Sequence, residues 1–334
     1  NQWNSTNPQG LFACQQARGS QIQIKTGYLL EDGTKETLSV FTGYINDPIR
    51  HSDTSGTLTC YDLWGRLEKI KLDDLKDPTT STWYANKQID FLVKKIFAHA
   101  GWTRFEYNVE SAVTVIPTAD FSNMSARDGL IKLAEVMNYE CGVDTYGKGF
   151  FRSRDVSGKN VILEVRNKKG GNKNLVECTD VGRGWDEVIN HFISKNASNV
   201  EIHKEPPTGR PNSYDRYGHI RKDINNQFLK QLSDSNIQSV LTQYWDWYSE
   251  AKIRFDATLT FLPQIELGDI HRVTQIEPYP DDKNQLTWNV GEQWNRGYIW
   301  GSREGFLVWK LVCKVMKISI NFNNYTVRIE YREV

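Results

Sequence analysis

The sequence predicts an α+β protein that is mainly β. Three observations carry this: strand-like stretches recur from Gln21 to the C-terminus, 11 tryptophans and 15 tyrosines supply side chains that pack well on pleated surfaces, and only three segments have the apolar spacing of a helix. The 334 residues, 39% hydrophobic and 25% charged, suffice for two or three cores.

QIQIKTGYLL from Gln21, EDGTKET and LSVFTGYI read as a hairpin with an Asp-Gly turn. Gly43 interrupts the return strand, and a glycine inside a strand marks a bulge or a close backbone approach. TLTCYDLWGRLEKI continues the sheet, and Asp62 stands where a short helical turn over Leu63 to Leu67 needs an N-cap acceptor. Three strands and a capped turn make a small β-barrel or sandwich fragment.

The character changes after KDPTTST. Ile89, Leu92, Val93, Ile96, Phe97 and Ala100 fall on one helical stripe, stopped by Gly101. A second helix carries Leu130, Leu133, Ala134 and Met137, with Ser125 as N-cap and Asp128 in the capping-box position. CGVDTYGKGFFRSRD reads as a hairpin turning near Gly147 to Gly149, and VILEV from Val161 prolongs the β-character. RNKKGGNKN from Arg166 is the best internal boundary. Beyond it, WDEVINHFISKNA and NVEIHK read as strands and EPPTGRPNSYDRYGHIRKD as a long polar connection. A third helix repeats the spacing at Ile237, Val240, Leu241, Tyr244, Trp245 and Tyr248, and strands resume to a closing hairpin around Asn323 and Asn324. There is no short-period repeat.

Lysine plus arginine equals aspartate plus glutamate at 41 each, so net charge implies no polyanionic partner. Five scattered cysteines without CxxC spacing argue against a disulfide framework or structural zinc, for core packing, and for assembly in a reducing compartment. The most apolar run, from Phe306, is broken by Lys310 and Lys314, so no membrane insertion is expected. The six histidines never fall at HxxxH or HExxH spacing, GxSxG and phosphate-loop motifs are absent, and no cofactor is expected. The acidic pairs Asp73-Asp74, Asp186-Glu187 and Asp281-Asp282 read as surface carboxylates, because strand neighbours face opposite ways. The basic stretch from Arg152 to Lys173 has only Phe150 and Phe151 as a stacking platform, so it reads as a solvated hairpin and loop, without specific nucleic-acid recognition. Trp288, Trp294 and Trp300 recur every six residues between glycines and read first as packing or a subunit contact, second as a carbohydrate-stacking surface.

A run of motifs then stands in a definite order. VFTGYI supplies Phe41 and Gly43; LTCYDLWGRL supplies Asp62; IDFLVKKIFAHAGW, VIPTADFSNMSARDGLIKLAEVMNYECGVDTYGKGFFRSR and VINHF follow. Next come Ser213 to Gly218, the third helix, and PQIELGDIHRV with Leu267, Gly268 and Asp269. This order resembles the phage tail or baseplate hub proteins related to late control protein D and to the N-terminal part of type VI spike proteins, over roughly Gly19 to the C-terminus. The resemblance implies two tail-tube-like β-barrels with a helical and hairpin middle region: 1–75 the first barrel, 76–180 the middle with two helices and a hairpin, and 181–334 the second barrel with one helix. It implies a non-enzymatic homotrimer whose ring of six barrels joins a sixfold tail tube or distal tail protein to a threefold tip or spike protein. The expected location is the virion tail, assembled in the host bacterial cytoplasm, and Gly43 is expected to let one strand bend. The loop from Asn284 to Gly305 is longer and more aromatic than the family's, and the space before Gly19 is short, so the first barrel is expected to be N-terminally truncated. A tail-associated host-wall hydrolase or carbohydrate-binding module, with the three tryptophans as platform, is the alternative; an unrelated cytosolic β-rich scaffold is a weaker one.

Overall fold

The computed structural model describes residues 20–50, 56–102, 106–155, 159–166, 174–209, 211–260, 262, 264–278, 306–321, 324 and 326–334. In chain order the elements are β1 (Gln21–Leu29), β2 (Lys35–Arg50), β3 (Gly56–Asp62), α1 (Leu63–Leu67), β4 (Tyr84–Gln88), α2 (Ile89–His99), β5 (Tyr107–Val109), β6 (Val115–Ala119), α3 (Ala126–Met137), β7 (Tyr139–Val143) and β8 (Gly149–Ser153). They continue as β9 (Leu163–Arg166), β10 (Leu175–Arg183), β11 (His191–Lys195), β12 (Glu201–Lys204), α4 (Ser213–Tyr217), β13 (Arg221–Asp223), α5 (Asp234–Tyr248), β14 (Ile253–Thr260), β15 (Ile270–Pro278), β16 (Phe306–Asn321) and β17 (Thr326–Glu333).

The chain builds two compact units, and it passes through each twice. The first takes the chain up to Arg154 together with Ile189–Glu250; the second takes Asp155–Val188 and Ala251–Val334. This differs from the expected consecutive segments 1–75, 76–180 and 181–334. The reason is the third helix: Ile237, Val240, Leu241 and Tyr244 of α5 lie in one apolar core with Leu92, Ile96 and Phe97 of α2 and Leu130 and Leu133 of α3. Polar ties hold α5 there, with Tyr244 donating to the Glu135 carbonyl at 3.0 Å and Asn138 Nδ2 to the Gln243 carbonyl at 3.2 Å. A 3.6-residue stripe says which face is buried and leaves open against what.

In the first unit, β1, β2 and β3 form an antiparallel sheet in that order; the remaining strands pair as β4-β6, β5-β8-β7 and β12-β11-β13. The helix signals act as the sequence predicts. Asp62 caps α1 by accepting from Gly65 N at 2.8 Å. Ser125 Oγ accepts from Asp128 N at 3.1 Å while Asp128 Oδ2 accepts from Ser125 N at 3.3 Å, a complete capping box. Gly101 follows α2 with φ +90°, where a side chain would be strained. The hairpin of β7 and β8 turns at Gly147, φ +82°.

In the second unit one six-stranded sheet runs β10-β14-β17-β16-β15-β9. Its inner face comes from strict alternation: Ile253, Phe255, Ala257 and Leu259 on β14, and Val327, Ile329 and Tyr331 on β17. On β16 the register shifts between Val315 and Lys317, so Met316 is a bulge residue and the inward set passes from Leu311, Cys313 and Val315 to Ile318 and Ile320. The outermost strands are tied at one end by Asn174. Its Oδ1 accepts from Arg166 N at 2.8 Å, its Nδ2 donates to the Glu164 carbonyl at 3.0 Å, and its own carbonyl accepts from Thr260 N at 2.9 Å. One amide thereby stands in for a ladder pair between β9 and the start of β10. The fold is mainly β with a half-barrel sheet, and a closed barrel is not formed among the described residues.

Candidate functional site

The residues singled out in the sequence occupy separate places. Phe41 and Gly43 lie on β2, where Gly43 pairs with Ile22 on one side and Asp62 on the other. Two register shifts flank Gly43, leaving Val40 and Asn46 as the extra residues. The bend therefore belongs to its neighbours, and Gly43 itself answers a close approach: a Cβ there would fall deep inside contact with the Tyr61 carbonyl oxygen and 2.5 Å from Phe41 Cζ. Leu267, Gly268 and Asp269 form a turn locked onto β16. Gly268, φ +84°, donates its N–H to the Val315 carbonyl at 2.9 Å, the Asp269 carbonyl accepts from Val315 N at 2.9 Å, and Asp269 Oδ2 accepts from Glu266 N at 2.8 Å. Trp288, Trp294 and Trp300 lie outside the described residues.

Several of the carboxylates and cations singled out in the sequence have structural partners. Asp73 accepts from Asn123 N at 2.7 Å, and Glu187 pairs with Arg254 at 2.6 Å and Arg332 at 3.8 Å. Arg152 pairs with Glu140 at 2.6 Å, Arg154 donates to Tyr139 O and Tyr248 Oη, and Arg166 pairs with Glu164. These contacts engage Arg152, Arg154 and Arg166, and a phosphate would have to compete for them.

The fold also makes a cluster that spacing along the chain conceals. On the β12-β11-β13 sheet, Ile193 pairs with His203, so His191, two residues earlier, and Glu205, two residues later, share that face. His191 Nε2 lies 3.1 Å from His203 Nδ1 and 3.2 Å from Glu205 Oε1. On the other side His191 Nδ1 is 2.6 Å from His219 Nε2, the two rings stack at 4.9 Å, and Tyr214 packs on His219 at 4.8 Å. Three of the six histidines thus meet around one that is 5% exposed. Burial pushes the His191 imidazole below its ordinary value; Glu205 opposes this, while His219, His203 and Arg221 add to it. Read along the chain, the histidines form no ligand set. The signal that could have found one is His203-Lys204-Glu205, two ligand types at i and i+2 at the end of a strand.

A different surface lies on β1, at the edge of its sheet. Ile24, Tyr28 and Leu29 are exposed there, Leu29 by 70%, Leu30 is exposed just after it, and Tyr61 is exposed on β3. Apolar side chains along an open strand edge are a surface that proteins ordinarily cover. Among the described residues no helix is long and apolar enough to cross a membrane.

No family model matches the sequence, and no curated protein matches it. Solved structures do. The chain is similar to the tail protein from Neisseria meningitidis MC58, with 13% identity and a TM-score of 0.53 over 94% of this chain and 87% of that one. It is equally similar to the prophage MuSo2 43 kDa tail protein from Shewanella oneidensis, with 12% identity and a TM-score of 0.53 over 94% and 88%. At such identities the likeness is one of fold, and it spans both units.

Proposed function

We propose that the chain is a structural component of a phage or phage-like tail, and within it the hub of the tail tip or baseplate. The observation that carries this reading is the fold shared with two tail proteins along 94% of the chain. In this reading three copies form a ring of six barrel positions, which meets a sixfold tail tube on one side and a threefold tip or spike on the other. The half-barrel sheet of the second unit is one barrel position. The β1-β2-β3 sheet, with its exposed apolar edge, is the other, completed by a neighbour. The motif order from Phe41 to Asp269 supports the hub assignment, and the structural partners of Asp73, Glu187 and Asp269 support a non-enzymatic role.

Mass in solution, followed by light scattering across a dilution series, tests the ring. A trimer that persists on dilution is expected. A chain that stays monomeric, alone and when mixed with the tail-tube protein of the same particle, would refute the hub assignment.

A further inference from the structure

We propose that His191, His203 and Glu205 bind one divalent transition-metal ion, with zinc the best fit, and that His219 orients His191 from behind. The proposal goes beyond the tail reading and does not depend on it.

The geometry supplies the argument. His191 Nε2, His203 Nδ1 and a Glu205 carboxylate oxygen lie within 4.8 Å of one another. Two of the three separations, 3.1 and 3.2 Å, approach the roughly 3.4 Å edge of a tetrahedron whose metal–ligand bonds are about 2.1 Å. Two imidazole nitrogens and one carboxylate oxygen suit zinc and its first-row neighbours better than calcium or magnesium, which prefer all-oxygen sets. Glu205 and His203 are 50% and 42% exposed, so an ion has a route from solvent and a fourth position open to water.

Proton placement points the same way. A neutral His191 carries one ring proton. If it sits on Nδ1 and is donated to His219 Nε2, the Nε2 lone pair faces the His203 nitrogen and the Glu205 carboxylate oxygen, and a cation satisfies all three together. Each ligand histidine also has an outer partner for its second nitrogen: His219 for His191, and Glu201 Oε2, 3.5 Å from Nε2, for His203. Metal-bound histidines characteristically have such partners, which fix the tautomer and the ring plane. The Tyr214 hydroxyl is buried without a hydrogen-bond partner, and the Glu205 carboxylate acts on it. Arg221 is the adverse charge on this face, and Asp223 holds it at 2.8 Å.

An ion here would clip β12 to β11, with His219, two residues before β13, behind it. The site is local to one chain and needs no partner subunit.

The test uses the full chain, stripped with chelator and equilibrated with zinc chloride, the bound metal being counted by mass spectrometry. Cobalt(II) is then substituted for its absorption spectrum. His203→Ala and Glu205→Gln alter exposed side chains, so the variants remain folded by circular dichroism where His191→Ala could fail. One zinc per chain is expected, weakened at least about tenfold by either variant, and about 10- to 100-fold by His219→Ala. The cobalt form should show nitrogen and oxygen ligation. Absence of stoichiometric zinc, equal binding by the wild type and a folded His203→Ala, Glu205→Gln double variant, or a thiolate-to-cobalt band would each overturn the proposal.

Discussion

Gly43→Ala is the substitution whose cost the structure states most directly. The new methyl would meet two obstacles of different stiffness. Phe41 Cζ, 2.5 Å from the ideal Cβ, is the far end of a side chain that can rotate away. The Tyr61 carbonyl oxygen is backbone on β3, in register with Tyr44, and lies closer still. Clearing it means parting β2 from β3 around the Gly43↔Asp62 pair, beside the residue that caps α1. One or two ladder hydrogen bonds at about 1 kcal/mol each, with about 1–2 kcal/mol of overpacking, give a local cost of about 2–4 kcal/mol. Hydrogen exchange reads this locally: amides of β2 and β3 should lose about 30- to 1,000-fold in protection, while those of α2 and α3 change little. Gly209→Ala is the control, because nothing lies within 4 Å of its Cβ position and its φ is unexceptional; it should change stability by less than about 0.5 kcal/mol. Protection of β2 and β3 in Gly43→Ala equal to that in Gly209→Ala would refute the close-approach account.

Three further outcomes follow from particular contacts. Ser125→Ala removes the acceptor of Asp128 N and should cost about 1–2 kcal/mol, seen as a lower urea midpoint; an unchanged midpoint would show the capping box to be redundant. Desolvation raises the half-buried Cys141 thiol to about 12, so at pH 8 its native alkylation should be much slower than in urea, and comparable rates would contradict the raised value. His191 is held below its ordinary 6.5 by burial, so as pH falls through 6.5 the unfolded chain takes up this proton before the folded one, and stability contributed above 6.5 is lost toward the lowered value. Glu205 and His203 face it from the β12 side, and His219 and Arg221 from the β13 side. In metal-free protein the urea midpoint should drop across that window, less so in His191→Asn, and an equal drop in the variant would assign the effect elsewhere.

What could be read from the sequence was set locally. The caps at Asp62 and Ser125, the stop at Gly101 and the turn at Gly147 each depend on residues within a few positions of one another, and the structure has all of them. Polar β4, with the sequence YANKQ, escaped because its strand character comes from pairing with β6 and not from its own pattern. The Asn174 tie, the histidine cluster and the membership of α5 escaped for a related reason. Each joins residues whose separation in the chain carries no periodic signal: 10 and 8 positions from Asn174 to Glu164 and Arg166, 12 and 28 from His191 to His203 and His219, and 109 from Glu135 to Tyr244.

The chain passes through each unit twice, and each pass supplies part of a core. The pass 155–188 brings β9 and β10, the two outer strands of the second sheet, with Val165 and Leu175 in its core. The pass 189–250 brings Phe192, Phe228 and α5, and the Phe228 ring packs on Phe121 at 5.4 Å in the first core. Without its inserted pass, the second sheet keeps only β14, β17, β16 and β15 and loses the strands flanking them, and the first core loses a wall. Neither unit is therefore complete in one stretch of chain, so a fragment cut at a sequence boundary such as 180 leaves both with open apolar surface. A likeness that spans 94% of the chain is then informative in a way that a likeness to one module would not be, because the property shared with the two tail proteins is a fold covering both interleaved units.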